Sequence, residues 1–274
     1  MKAYVIYLPK SKLSTDSANT TIQTGKDIGK IDVELWEGFD KFTGPIKHKE
    51  TGYPEHRDAM SWGYSDVDAA IGTFYSHHSL WEECVRTNQH ILILEHDAYF
   101  TKQVTLMKTD GVVNIGEPQR GAHDVAKATI DKVKANTPNW KKAHRFNPIL
   151  DTSNYDNMKW RFKTRLRSNY GLGFNTIRIC CLFGAHAYIM SPTAATILLK
   201  KAKEYGIMPA DLFVQSFGAE PYNIKIEDLV PFSASEKSSF SMIQNKHHPF
   251  LRKGQKWENK TKTAETAWED YGKT

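Results

Sequence analysis

Glu95 and Asp97 stand one residue apart, directly after the apolar run Ile91-Leu92-Ile93-Leu94. In extended chain, alternate residues point to the same side, so the two carboxylates can share a ligand. Their hard oxygens suit Mg²⁺ or Mn²⁺, and such ions usually arrive with phosphates. An acid-x-acid triplet alone is common in solvated loops. Weight comes from the strand directly before it and the helix before that. His247 and His248 either complete a metal shell from the C-terminal segment or are a solvated pair.

A second chemistry lies between residues 120 and 167. Twelve basic residues there face four acidic ones, a local excess of eight positive charges in a chain whose net charge is +6. Aromatic residues interleave with the bases, as in Trp140-Lys141-Lys142 and Lys159-Trp160-Arg161-Phe162-Lys163. Cations neutralise phosphates and aromatic rings stack on bases or sugars. The pattern fits a polyanionic partner, namely DNA, RNA or an acidic glycolipid at a membrane surface. It also fits a solvated basic face with ordinary packing aromatics.

These groups need a scaffold. Tyr4 to Leu8 and Val33 to Trp36 have strand character, and the Gly-, Pro- and His-rich stretch from Lys41 to Ser61 reads as a loop. Ser65-Asp66-Val67-Asp68 starts a helix, with Val67, Ala70, Ile71, Phe74, His78, Trp81 and Val85 on one face. Ile91 to Leu94 reads as a central strand. Arg178 to Phe183 is expected to form a further strand, with the chain running on from Gly184 to Met190. Ser191-Pro192 caps a helix that stops near Gly206. Met208-Pro209-Ala210-Asp211 begins a short one, and Ile224 to Val230 is a late strand.

Strands alternating with helices predict an α/β fold with a mainly parallel sheet flanked by helices. One domain is expected over residues 1–250, carrying a basic insertion outside the sheet at about 108–177. A polar tail follows over 251–274. Ligands of such sheets sit outside the carboxyl ends of the strands, where Glu95-His96-Asp97 falls.

Composition narrows the class. Hydrophobic residues make up 40% of the 274, enough for a packed core. The longest apolar runs are too short to span a membrane, and the first eight residues read as a strand rather than a signal peptide. Three cysteines, Cys84, Cys180 and Cys181, cannot build a disulfide framework and are read as buried small hydrophobes. A cytoplasmic location is expected, in the host cell if the gene is viral.

Several segments together resemble the family 25 glycosyltransferases, which include lipooligosaccharide and collagen galactosyltransferases. They are Tyr4-Val5-Ile6-Tyr7-Leu8, Ser76-His77-His78-Ser79-Leu80-Trp81, Ile93-Leu94-Glu95-His96-Asp97-Ala98-Tyr99-Phe100, Gly184-Ala185-His186-Ala187-Tyr188-Ile189-Met190-Ser191 and Pro209-Ala210-Asp211. Ser238 to Ser241 sit where the family often has a serine-rich segment. His96 replaces the middle acid of the family's triplet. It either weakens metal binding, supplies an imidazole ligand, or faces away from the site.

The resemblance implies a GT-A-like, Rossmann-type fold, a nucleotide-sugar donor and a divalent cation. Glu95 and Asp97 would hold metal and diphosphate. Tyr7, Leu8, Ser76, His77, Glu95 and His186 would line the donor site. The family inverts at the sugar carbon, which needs a base for the acceptor hydroxyl, and Asp211 is the candidate. Asp211 is equally explained as a first-turn carboxylate favoured by its helix dipole. Trp140, Lys159, Trp160, Arg161 and Lys163 are the candidate acceptor contacts. The expected acceptor is a hydroxymethylated base in phage DNA, of the 5-hydroxymethylcytosine type. The alternative is the acidic core of a bacterial surface glycolipid, and a third reading is a non-catalytic nucleic-acid-binding protein on a glycosyltransferase scaffold.

Overall fold

The computed structural model describes residues 1–55, 66–104, 109–116, 185–207, 209–217, 226–228, 234–236 and 271–272. Strand β1 (Lys2–Tyr7) leads into helix α1 (Lys12–Thr24), which continues as a wider π turn over Gly25–Gly29. Next come β2 (Val33–Glu37), α2 (Thr43–Thr51) and the long helix α3 (Val67–Thr87). They are followed by β3 (Ile91–Glu95), β4 (Ala98–Phe100) and β5 (Val112–Asn114). Then β6 (Ala187–Met190), α4 (Pro192–Tyr205), α5 (Ala210–Phe217), β7 (Ile226–Asp228) and β8 (Ala234–Glu236) complete the described elements.

Six of the strands form one mixed sheet in the order β2-β1-β3-β6-β5-β7, and β4 pairs with β8 separately. β1 runs parallel to both β2 and β3, and β5 parallel to β7, while β6 is antiparallel to β3 and β5. The expected α/β class is present. The sheet differs from expectation at Val112–Asn114, which lies within it as β5 although residues 108–177 were expected to stay outside. Residues 117–184, with Trp140, Lys159, Trp160, Arg161, Lys163, Cys180 and Cys181, lie outside the described residues, as do His247 and His248.

Period-2 alternation sorts the sheet's side chains to two faces. Tyr4, Ile6, Ile91, Ile93, Tyr188 and Met190 join Phe74, Trp81, Leu198 and Phe213 in a core under α3, α4 and α5. Ala3, Val5, Leu92, Leu94 and Ile189 join Ala18 of α1 and Phe100 of β4 in a second core on the other face. The predicted stripe of α3 is buried from Ala70 to Trp81, with Val67 partly buried and Val85 exposed. Asp66 rather than Ser65 caps that helix, accepting from Ala69 N at 3.0 Å.

Two helices escape the sequence pattern. α1 buries Ser14, Ala18 and Thr21, so it has no apolar stripe to find. α2 takes up Thr43–Thr51 of the stretch 41–61 that was expected to be a loop. Asp40 Oδ1 accepts from Phe42 N, Thr43 N and Thr43 Oγ1 at 2.7–2.9 Å, which starts the helix. Pro45 in the first turn needs no donor, and Gly52 ends the helix at φ +62°. Gly44 then lets α2 press onto α3, because a Cβ there would lie 2.5 Å from Gly72 Cα. A Cβ on Gly72 would in turn meet the Phe39 carbonyl oxygen at 2.6 Å.

Gly72→Ala is therefore expected to lower stability by about 2 kcal/mol, read as a shift of the urea midpoint. A second expectation concerns His78, buried among the rings of Tyr53, Phe74, Tyr75 and Trp81. Burial, helped by the charge of Lys47, pushes its pKa down from 6.5 to about 4. Between those values the unfolded chain binds a proton that the folded chain does not. Stability should thus be full above pH 6.5 and fall by about 1.4 kcal/mol per pH unit on descending toward 4. Urea titrations across that range should show this slope flattened in His78→Gln.

Candidate donor-site residues at the strand ends

Strands β1, β2 and β3 are parallel, so their carboxyl ends share one edge of the sheet. The chain goes from β1 to β2 on one side, then returns to place β3 on the other side of β1. Ligands of open α/β sheets bind beside such a reversal, which falls here at the strand ends Tyr7-Leu8 and Glu95-His96.

Short hydrogen bonds shape this edge. Tyr7 O accepts from Gly38 N at 2.8 Å, which joins the ends of β1 and β2. Leu8 N donates to Ser14 Oγ at 2.9 Å, and Ser11 caps α1 by accepting from Ser14 N. Ser76 accepts from Phe39 N at 2.8 Å and donates to Gly72 O at 2.8 Å. Of the expected donor-site residues, Ser76 therefore has its hydroxyl engaged in fixing the β2–α2 connection to α3.

Glu95 ends β3 with a side chain 29% exposed. Its Oε1 lies 3.2 Å from Nε2 of His77, which is fully buried. The other ring nitrogen of His77 is 2.8 Å from the Tyr188 hydroxyl, and Trp81 Nε1 donates to that hydroxyl at 3.1 Å. The His77 and Tyr188 rings stack with centroids 5.8 Å apart. Burial would raise the Glu95 carboxyl. The hydrogen bond from His77 outweighs it and holds the carboxyl below its ordinary range. Glu95 is thus kept ionised.

His186 faces Glu95 across the β3–β6 ladder, where its carbonyl accepts from Glu95 N at 2.9 Å. Its imidazole is buried against Gly116, and a Cβ there would lie 2.5 Å from Nε2. His96 turns toward α1, with Nδ1 3.2 Å from Ser14 Oγ and its carbonyl accepting from Thr21 Oγ1 at 3.1 Å.

The spacing argument for the carboxylates needs correction. The chain does not stay extended through the triplet: β3 stops at Glu95, and His96-Asp97 form a turn into β4. Asp97 is buried, 9% exposed, so Glu95 is the more open acid. Among the described residues, no three or more His, Cys, Asp or Glu side chains are grouped to hold a metal ion by themselves. The donor set fits instead an ion that takes one or two carboxylates and completes its shell with phosphates and water.

Asp211 belongs to another element, α5. It is half-buried in the first turn of α5, whose Phe213 packs on Phe74 and Trp81 of α3. Residues that sequence reasoning missed are Ser14, Tyr188 and Asp40. Asp40 is buried beside the end of β2, and Tyr271 donates a hydrogen bond to its Oδ2. Gly272 N donates to Lys10 O at 2.9 Å, so part of the polar tail docks along the same edge. Ser14 and Asp40 sit in polar segments with no motif. Tyr188 was visible in its segment, but its partnership with a histidine 111 residues away was not.

No helix among the described residues is long and apolar enough to cross a membrane. No curated protein matches the chain significantly. Two solved structures resemble it remotely. Mouse xyloside xylosyltransferase 1 in its apo form aligns over 88% of this chain and 86% of its own, at 9% identity and a TM-score of 0.44. The galactosyltransferase LgtC, in complex with donor and acceptor sugar analogs, aligns over 100% of this chain and 96% of its own, at 10% identity and a TM-score of 0.40. The family model described as glycosyltransferase family 25 (LPS biosynthesis protein) matches residues 2–214. That match takes in most of the 274 residues, and the chain belongs to glycosyltransferase family 25.

Proposed function

We propose that this chain moves a sugar from a nucleoside diphosphate donor, best a uridine diphosphate sugar, to a hydroxyl of a polyanionic acceptor. The observation that carries this reading is the ionised, part-exposed Glu95 at the carboxyl end of β3, beside the end of β1. Glu95 and Asp97 would hold a divalent cation together with the donor's phosphates. That ion would supply neutralising charge for the leaving diphosphate. Asp211 is the proposed base for the acceptor hydroxyl, from the match of Pro209-Ala210-Asp211 to the family's turn.

The description of the matched family supports a lipopolysaccharide-type glycolipid as acceptor. The basic, aromatic-rich stretch between 120 and 167 supports a second reading, a hydroxymethylated base in DNA. The same stretch would meet anionic headgroups in the first case and the phosphate backbone in the second.

A transfer assay decides between them. Uridine diphosphate sugars are offered with Mn²⁺ or Mg²⁺ to a truncated lipooligosaccharide and to duplex DNA containing hydroxymethylcytosine, and product mass is read. A gain on one acceptor selects it. No donor turnover above an Asp97→Ala control, on either acceptor or water, sinks the enzyme reading and leaves a binding scaffold. Asp97→Asn is expected to cost about 10²–10³ in turnover. Asp211→Asn should cost about 10²–10⁴ with donor affinity retained. Chelation should abolish transfer and added Mn²⁺ should restore it.

A further inference from the structure

Trp81, Tyr188, His77 and Glu95 form one hydrogen-bonded series, and its two ends fix its direction. An indole Nε1 only donates, so Trp81 donates to the Tyr188 oxygen at 3.1 Å. An ionised carboxylate only accepts, so the His77 Nε2 lying 3.2 Å from Glu95 Oε1 carries a hydrogen. The Tyr188 hydroxyl hydrogen remains to be placed. His77 Nδ1 is 2.8 Å from that oxygen, and a neutral ring protonated at Nε2 accepts there. With hydrogens on both ring nitrogens, the Tyr188 oxygen would face two donors and its own hydrogen would have no described acceptor. The consistent arrangement is a neutral Nε2–H ring with every hydrogen bond running toward Glu95.

The first three residues are fully buried. Burying an indole N–H, a phenol and an imidazole is costly unless each is paired, and a phenylalanine would fill the space without that cost. Their series has one outlet, the half-exposed acid at the strand end. We propose that Tyr188 and Trp81 are positioning residues for the donor site, fixing the tautomer of His77 so that it holds Glu95 Oε1. They thereby set which oxygen of Glu95 is left to meet the donor. The inference rests on reading Glu95 as a donor-site acid.

The test is nitrogen-15 NMR of the histidine rings in the full chain, paired with uridine diphosphate titrations in Mn²⁺. Wild type should show His77 as the Nε2–H tautomer. Tyr188→Phe removes one oxygen and keeps the ring stack. It should give mixed tautomers and weaken uridine diphosphate binding about tenfold, with an unchanged dispersed backbone spectrum. Trp81→Phe, which spares the tyrosine, should shift both readouts the same way by less, and serves if the first variant does not fold. An unchanged tautomer or unchanged affinity in the folded variant overturns the proposal. Unchanged affinity in Glu95→Gln overturns the donor-site reading beneath it, a result on which the tautomer measurement does not depend.

Discussion

A carboxylate at the end of an interior strand loses much of its water, and the chain around Glu95 is arranged against that loss. Three histidines from three elements surround it: His77 from α3, His96 from the following turn and His186 from the approach to β6. Only His77 makes a hydrogen bond to the acid among the bonds described. The side chains of the other two are tied elsewhere, His96 to α1 and His186 over Gly116. The acid therefore depends on α3 lying at a fixed height above β3. That height is set by the packing of Phe74 and Trp81 against Phe213 and by the glycine contact between α2 and α3.

The two sheet faces answer different demands. Under α3 the contacts are large and aromatic, and the geometry is that of a dry core. Under α1 the helix covers strand ends whose backbone groups need partners, so it brings hydroxyls. Ser14 serves Leu8 N and His96, and Thr21 serves the carbonyls of His96 and Ala98. A helix that satisfies exposed backbone cannot also carry an apolar stripe on the same face.

This explains what could be read in advance. α3, β3 and α4 were legible because packing repeats at their own periods and because Ser191-Pro192 and Gly206 mark the ends of α4. The class of fold followed from their alternation. α1 was hidden by its polar buried face. α2 was hidden because Gly44 and Pro45 serve a close crossing and a first turn rather than a loop. At the candidate site, Glu95, His77 and His186 were named from residue type and motif. Their mutual geometry was not, since it is made by residues far apart in sequence. Asp97 was expected in extended chain, and the chain bends there instead.

The corner beside β2 carries a consequence for synthesis. Asp40 obtains three of its donors from Phe42 and Thr43, within three residues of itself, and these can form as soon as the segment leaves the ribosome. Its remaining partner, Tyr271, is 231 residues downstream. At translation rates of about 5–20 residues per second, that hydroxyl arrives some tens of seconds later. A nascent chain can build its first strands and both early helices while one carboxylate oxygen at the sheet edge is still facing water. That late hydrogen bond then acts as a chronological seal between two segments made far apart in time.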